Sequence, residues 1–272
     1  MKKYYDNTHS RIVMIEQAAD NAFWDKHWKT DDQSFVKILK NTKHRHILGI
    51  TKKYLFPGAK ILEGGCGWGT IVNALHHHGY DVYGIDYAED TVKKINDHAP
   101  ELKVQVGDIR RLPFPECFFD GYWSLGVIEH FYDGYDEIAS EMMRVLKPNG
   151  YLFLTVPTMS LLRKIKARFG LYPQLKNKNE SVSNFFQFVF DPKEVIANFE
   201  SFGLKLVKTE HCDGVKGLKD EVAIFKRCLQ YVYDSQKFPV KVLRRILDMI
   251  LKCFSNHMCL FIMKKDGCLK WS

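Results

Sequence analysis

Lys60-Ile61-Leu62-Glu63-Gly64-Gly65-Cys66-Gly67-Trp68-Gly69-Thr70 is the stretch on which the fold of this chain turns. A short apolar run predicts a strand, the glycines a loop, and Thr70 to His78 a helix. Pro57-Gly58 marks the turn that precedes it. The same rhythm repeats downstream. Asp81 to Asp86 reads as a strand, followed by a helix from Glu89 that ends before Pro100. Lys103 to Val106 is a third strand, ending at Gly107-Asp108, and Phe119 to Ser124 a fourth. A helix covers Tyr135 to Val145. Lys147-Pro148-Asn149-Gly150 then predicts a turn before the apolar strand Tyr151 to Val156. Repeated strand and helix with short apolar strands imply a parallel sheet covered on both faces, hence an α/β fold.

The flanks depart from that rhythm. In the first fifty residues Ile12, Ile15 and Ala19, then Phe23, Trp24 and Trp28, then Phe35, Ile38 and Leu39 recur at helical spacing, which predicts a helical cap over residues 1–56. The main domain is expected over 57–272, with two insertions. The first, about 157–190, carries Arg163, Lys164, Lys166 and Arg168, a polar loop from Lys176 to Ser183, and the aromatic run Phe185 to Phe190. Asp191-Pro192 then starts a helix to about Phe202, with Asp as N-cap and Pro at its first position, and a strand begins at Gly203. The second insertion, about 213–256, contains the basic amphipathic stretch 240–254, before a last strand from Cys259 to Lys264.

The chain has 272 residues, 46% of them apolar and 26% charged, which excludes collagen, disorder and coiled coil. No apolar run approaches the ~18 residues of a membrane span, and the polar start Met1 to Asn7 is unlike a secretory signal. The expected location is the cytoplasm; the basic amphipathic stretch 240–254 reads first as a core-covering helix with a solvated face, and second as a contact with an anionic inner membrane surface. Seven scattered cysteines without a C-x-x-C pair predict reduced thiols. His76-His77-His78 falls at a helix end, where histidines complement the dipole. With no partner at ligand spacing, no metal site is predicted. Residues 1–156 hold 19 Lys and Arg against 21 Asp and Glu, whereas residues 157–272 hold 21 against 11. The whole excess of +8 is therefore C-terminal, which suits an anionic partner or a solvated basic face.

Ligands of open α/β sheets bind beyond the carboxyl ends of the strands. Glu63, Asp86 and Asp108 end three successive strands there, and Gly65, Gly67 and Gly69 follow the first. Asp86 is positioned to accept hydrogen bonds from both hydroxyls of an unphosphorylated ribose. A dinucleotide fits poorly. The third glycine of G-x-G-x-x-G would be Thr70, and Glu63 brings negative charge toward a pyrophosphate. An acidic loop suits a cationic ligand such as S-adenosylmethionine.

Residues 58–157 resemble the class I S-adenosylmethionine-dependent methyltransferases, most closely the small-molecule branch that includes the ubiquinone and menaquinone enzymes. The segments that carry the resemblance are ILEGGCGWGT, VYGIDYAED, VQVGDIRRLPFPECFFDGYWSLGVIEHF and MMRVLKPNGYLFLTVP. It implies a Rossmann-like, mostly parallel seven-stranded sheet of order 3-2-1-4-5-7-6 with the last strand antiparallel. It also implies S-adenosylmethionine as cofactor, leaving as S-adenosylhomocysteine. On that reading Glu63, Gly65, Cys66 and Gly67 meet the methionine portion, with Ser124 and Leu125 touching it through backbone atoms. Asp86 clamps the ribose and Tyr87 lies against adenine. Asp108 meets the adenine amino group and Ile109 its face. Glu63 departs from the usual first acid of the family, Asp.

Methyl transfer is an in-line displacement at an activated carbon, so the protein must chiefly align the nucleophile and exclude water. A hydroxyl acceptor also needs a base, for which His130 in Ile128-Glu129-His130-Phe131 is the candidate, with Glu129 to orient it or to cap the helix. Its alternative is a helix-start histidine bonded to backbone. Trp24, Trp28, Phe185, Phe186, Phe188 and Phe190 offer aromatic surface for a flat or greasy acceptor, or else pack the cap. The leading expectation is a methyltransferase acting on a small-molecule, glycan or lipid-linked acceptor, at oxygen. A nucleic-acid methyltransferase is disfavoured because Ser124-Leu125-Gly126 lacks the Asn/Asp-Pro-Pro-aromatic signature. A non-catalytic S-adenosylmethionine-binding scaffold stays open.

Overall fold

The computed structural model describes residues 1–19, 21–40, 42–175 and 184–267. In chain order the first elements are β1 (Lys2–Asp6), β2 (Arg11–Ile15), α1 (Asn21–His27), α2 (Asp32–Leu39), α3 (Arg45–Tyr54), β3 (Lys60–Gly64), α4 (Thr70–His77), β4 (Asp81–Asp86), α5 (Glu89–His98), β5 (Lys103–Val106) and β6 (Phe119–Leu125). After a 3-10 turn at Ile128–His130 come α6 (Asp136–Val145), β7 (Leu146–Pro157), α7 (Leu161–Arg168), β8 (Phe185–Val189), α8 (Pro192–Ser201), β9 (Leu204–Cys212), α9 (Gly214–Glu221), α10 (Lys226–Asp234), α11 (Phe238–Ser255) and β10 (Met258–Lys265). The polar loop expected at Lys176 to Ser183 lies outside the described residues.

The chain divides into two compact units. Each of the seven strands of the larger sheet has residues in the unit formed by 19–154, 198–207 and 262–272. Their order is β5-β4-β3-β6-β7-β10-β9, which is 3-2-1-4-5-7-6 when the sheet's own strands are counted along the chain. β3 lies between β4 and β6 and runs parallel to both, with Glu63 opposite Gly84 and Trp123. Ile61 and Leu62 are fully buried on β3, as sheet faces covered by helices require. Burial of each such side chain contributes about 1.5–3 kcal/mol. Trp123 is also fully buried, stacked on Phe153 at 4.4 Å, and its Nε1 donates to Thr51 Oγ1 on α3. β7 corrects one expectation. It starts at Leu146, so Lys147 to Gly150 belong to the strand, and the turn signal appears only as the left-handed Asn149 (φ 65°).

The other unit comprises residues 1–18, 155–197 and 208–261. Here the helical reading of the first residues fails: β1 and β2 form an antiparallel hairpin, and β2 pairs with β8. Ile12 and Ile15 are strand residues. Ile12, Val13 and Met14 are buried in succession, and Ile12, Met14, Met159, Tyr172 and Val189 form one apolar cluster. Phe185, Phe188 and Phe190 are buried in this unit as well.

A buried ionic centre ties the unit together. Arg163, read from sequence as part of a basic segment, is fully buried. Its Nε donates to Glu221 Oε1 at 3.1 Å and its Nη1 to the Thr158 carbonyl at 2.7 Å, while Nη2 lies 3.1 Å from His257 Nδ1. Glu221 also accepts from Lys3 (2.7 Å), Lys166 (2.8 Å) and the Tyr172 hydroxyl (2.7 Å). Burial works against the Glu221 charge, but Arg163, Lys3 and Lys166 outweigh it and hold the carboxyl down at about 2. Burial and the Arg163 charge push His257 down to about 2. Both shifts have one sign for stability. A carboxyl depressed in the folded state stabilises above its unfolded pKa, and a histidine kept neutral is protonated first in the unfolded chain, so stability falls as pH drops from about 6.5 towards 2. Glu221→Gln is expected to cost about 3–5 kcal/mol at neutral pH, because it strands Arg163 in the interior, and to flatten the acid limb. Urea unfolding at stepped pH measures both.

Candidate functional site

The site is assembled at the carboxyl ends of β3, β4 and β6, entirely within the larger-sheet unit. A cavity of about 300 Å³ is lined by the glycine loop, Glu63, Asp86 and Tyr87, by Leu125 to Val127, and by His130 and Phe131. Trp24, Trp28, Trp68 and Thr70 complete it. The loop between β3 and α4 needs its glycines. Gly65 has φ 76°, and a Cβ there would lie 2.6 Å from Val127. Gly67 has φ 47°, and a Cβ there would press on the Trp28 ring at 3.0 Å. A side chain at either position would meet both strain and a neighbour.

Asp86 organises the cavity floor. Its Oδ2 accepts from the Gly67 amide at 2.7 Å and its Oδ1 from the Ala88 amide at 2.9 Å, so one carboxylate fixes both the glycine loop and the entry to α5. The Gly65 and Cys66 amides donate to the Ile85 carbonyl at 2.8 and 3.0 Å. Glu63, buried on β3, accepts from the Val72 amide at 3.2 Å. Burial raises the pKa of Asp86 against these amides. It raises that of Glu63 well above the ordinary range, with the Asp86 charge adding to it. Burial likewise pushes up the Cys66 thiol. No cation among the described residues pairs with either carboxyl. Two buried acids thus face a cavity with no Lys or Arg among the residues that line it, an arrangement that complements a cationic ligand.

Aromatic rings form the opposite wall. Trp24 and Trp28 stack at 5.8 Å, and Trp24 meets the His130 ring edge-on at 4.9 Å. The segment carrying them is pinned by Trp68 Nε1 donating to the Trp28 carbonyl (2.9 Å) and by Trp24 Nε1 and the Tyr87 hydroxyl donating to the Ala19 carbonyl (3.2 and 3.4 Å). Beside His130 on the 3-10 turn, Glu129 is buried, its Oε2 has no hydrogen-bond partner among the described residues, and burial pushes its pKa up to about 8. It is therefore largely uncharged at neutral pH.

Of the residues singled out from sequence, Glu63, Gly65, Cys66, Gly67, Asp86, Tyr87, Leu125 and His130 come together here. Asp108, Ile109 and Ser124 do not line the cavity. The Asp108 carboxylate is gripped by Arg110 through Nε and Nη2; burial opposes its charge, but the guanidinium holds it below its usual range. Ile109 is packed in the core, and Ser124 is fully buried with its Oγ unpartnered among the described residues. Trp24 and Trp28 face the cavity, whereas Phe185, Phe186, Phe188 and Phe190 are absent from the residues that line it. Sequence reasoning missed Trp68, Val127 and Phe131. Trp68 sits inside the glycine loop itself, which was its only signal.

Residues 62–154 match the methyltransferase domain family. Malonyl-(acyl-carrier protein) O-methyltransferase of Herminiimonas arsenicoxydans is 32% identical over 117 residues, 42% of this chain and 43% of that protein. Ubiquinone biosynthesis O-methyltransferase of Acinetobacter baylyi is 24% identical over 191 residues, 68% of this chain and 77% of that protein. The matched regions span 31% to 43% of the length of the first curated relatives. In fold, the chain is similar to the crystal structure of an S-adenosylmethionine-dependent methyltransferase from Mesorhizobium loti, with a TM-score of 0.53 at 14% identity, covering 83% of this chain and 99% of that one. The glycine loop, the acids at the strand ends and the sheet order agree with these likenesses: residues 62–154 form a methyltransferase domain, similar to those of the S-adenosylmethionine-dependent methyltransferases.

Proposed function

We propose that this protein methylates an oxygen of a small, flat or apolar acceptor, using S-adenosylmethionine. The observation that carries the reading is the pair of buried carboxyls, Glu63 and Asp86, lining a cavity with no cation of its own among the described residues. The glycine cradle, which any Cβ would fill, supports it. When bound, S-adenosylmethionine supplies an electrophilic methyl group on sulfur. Glu63 and the backbone of Gly65 to Gly67 would hold its ammonium-bearing end, and Asp86 with Tyr87 its adenosine. Each Asp86 oxygen already takes one amide and keeps a lone pair for a ribose hydroxyl.

The acceptor side is the aromatic wall. Trp24, Trp28 and Phe131 offer apolar faces and exclude water, which favours a planar or greasy molecule over a polar polymer. His130, facing the same cavity, would take the proton from the acceptor hydroxyl as oxygen attacks carbon. Glu129, largely neutral at pH 7, places little competing charge beside that histidine. Both relatives described above are O-methyltransferases by name, which supports oxygen as the methylated atom.

Asp86→Ala is expected to weaken S-adenosylmethionine binding more than tenfold, the scale of charge-assisted hydrogen bonds worth ~1.5–3 kcal/mol. Isothermal titration measures it, and unchanged affinity would place the ribose elsewhere. Glu63 must lose its proton to meet a cation and burial raises its pKa, so affinity should climb as pH rises. Glu63→Gln should lower affinity and remove that slope. His130→Gln should leave S-adenosylmethionine affinity unaltered and slow label transfer from radiolabelled S-adenosylmethionine into the small molecules of a cell extract by about 10²-fold or more. Wild-type transfer by that variant would assign the proton to another group.

A further inference from the structure

Helix α11 in the smaller-sheet unit is docked with its apolar side outward. Phe238, Met249 and Ile250 are 78%, 63% and 67% exposed, and Leu243, Ile246 and Phe254 are exposed with them. At 100° per residue these six fall within one arc of about 160°. The opposite side is committed. α9 carries Gly214 and Gly217, where a Cβ would lie 2.6 Å from the Lys252 amide and 1.7 Å from the Ser255 carbonyl oxygen, so the two backbones approach more closely than any larger residue allows. Ser255 Oγ donates to the Gly214 carbonyl at 2.8 Å, and Asp248 accepts from the Val215 amide at 2.9 Å. The helix cannot rotate to hide its apolar arc without losing these contacts.

Charge accompanies the arc. Residues 223–255 hold seven Lys and Arg against two Asp. One acid, Asp248, is engaged by Arg244. Lys241, Arg245 and Lys252 border the arc along one edge and pair with no carboxylate among the described residues. An exposed apolar face of this size marks an interaction site, and cations along its border complement an anionic surface. A second copy would press like charges together as the apolar faces met. A nucleic acid would leave Ile246, Met249 and Ile250 in contact with phosphate and water.

We propose that α11 lies in the plane of an anionic bilayer, its arc seated at the boundary between headgroups and acyl chains and its border cations on the headgroups. No helix among the described residues is long and apolar enough to cross the membrane, so the attachment is peripheral. The test is sedimentation of the full chain with vesicles of phosphatidylcholine alone and of phosphatidylcholine mixed with phosphatidylglycerol. The protein should sediment with the mixed vesicles, and less so as salt is raised. The Ile246→Asp/Ile250→Asp double variant should bind at least about tenfold more weakly with an unchanged thermal melt. The Lys241→Glu/Arg245→Glu variant should lose the preference for the anionic vesicles. Three results would overturn the proposal: no sedimentation with either vesicle, undiminished binding by both variants, or a dimer in light scattering that the aspartate variant disperses while vesicles are ignored.

Discussion

The Asp86 carboxylate is the contact on which the site depends. It takes the Gly67 amide from the loop after β3 and the Ala88 amide from the start of α5, so one side chain sets the width of the crevice. Those amides also make its burial tolerable, since a carboxylate out of water needs donors aimed at it. Glu63 is held less well, by one amide at 3.2 Å, and its pKa moves further. The site thus contains one acid fixed as part of the framework by two amides and one held by a single amide. The further rise of the Glu63 pKa follows from its burial first, with fewer backbone donors and the Asp86 charge acting in the same direction.

The sheet and the glycine-loop side of the crevice were legible because their signals are local. Glycines at 65 and 67 answer to left-handed backbone, and acids at strand ends answer to topology. What failed lacked a local signal. Ile12, Val13 and Met14 are buried consecutively, so β2 shows no alternation, and a short apolar run cannot be told from a helical segment by period alone. The burial of Arg163 has no sign in its basic segment, because its partner Glu221 lies 58 residues away in sequence and no pattern joins them. Asp108 stands at a strand end like Asp86, but a guanidinium two residues on turns its carboxylate to Arg110.

The aromatic residues make the same point through composition. Trp24 and Trp28 line the crevice, while Phe185, Phe188 and Phe190 are buried in the other unit, although both groups offered similar surface in sequence. Their fates diverge with the elements that carry them. β8 pairs with β2 and commits its side chains to that unit's core, whereas α1 and the following Trp28 are anchored through Trp68 and the Ala19 carbonyl and keep the Trp24 and Trp28 rings against the cavity.

The surplus of cations in the C-terminal half is resolved in a comparable way. Many of its acids are already used: Glu221 holds Arg163 and Lys166, Asp191 holds Lys164, Asp266 holds Lys205, Glu210 holds Lys208, and Asp248 holds Arg244. The cations left over include Lys241, Arg245 and Lys252, on the helix whose apolar side faces water. Charge alone would suit any polyanion, and apolar surface alone would suit another protein. Their coincidence on one helix, with its other side fixed by two glycines of α9, favours a surface that presents anions above a hydrocarbon layer.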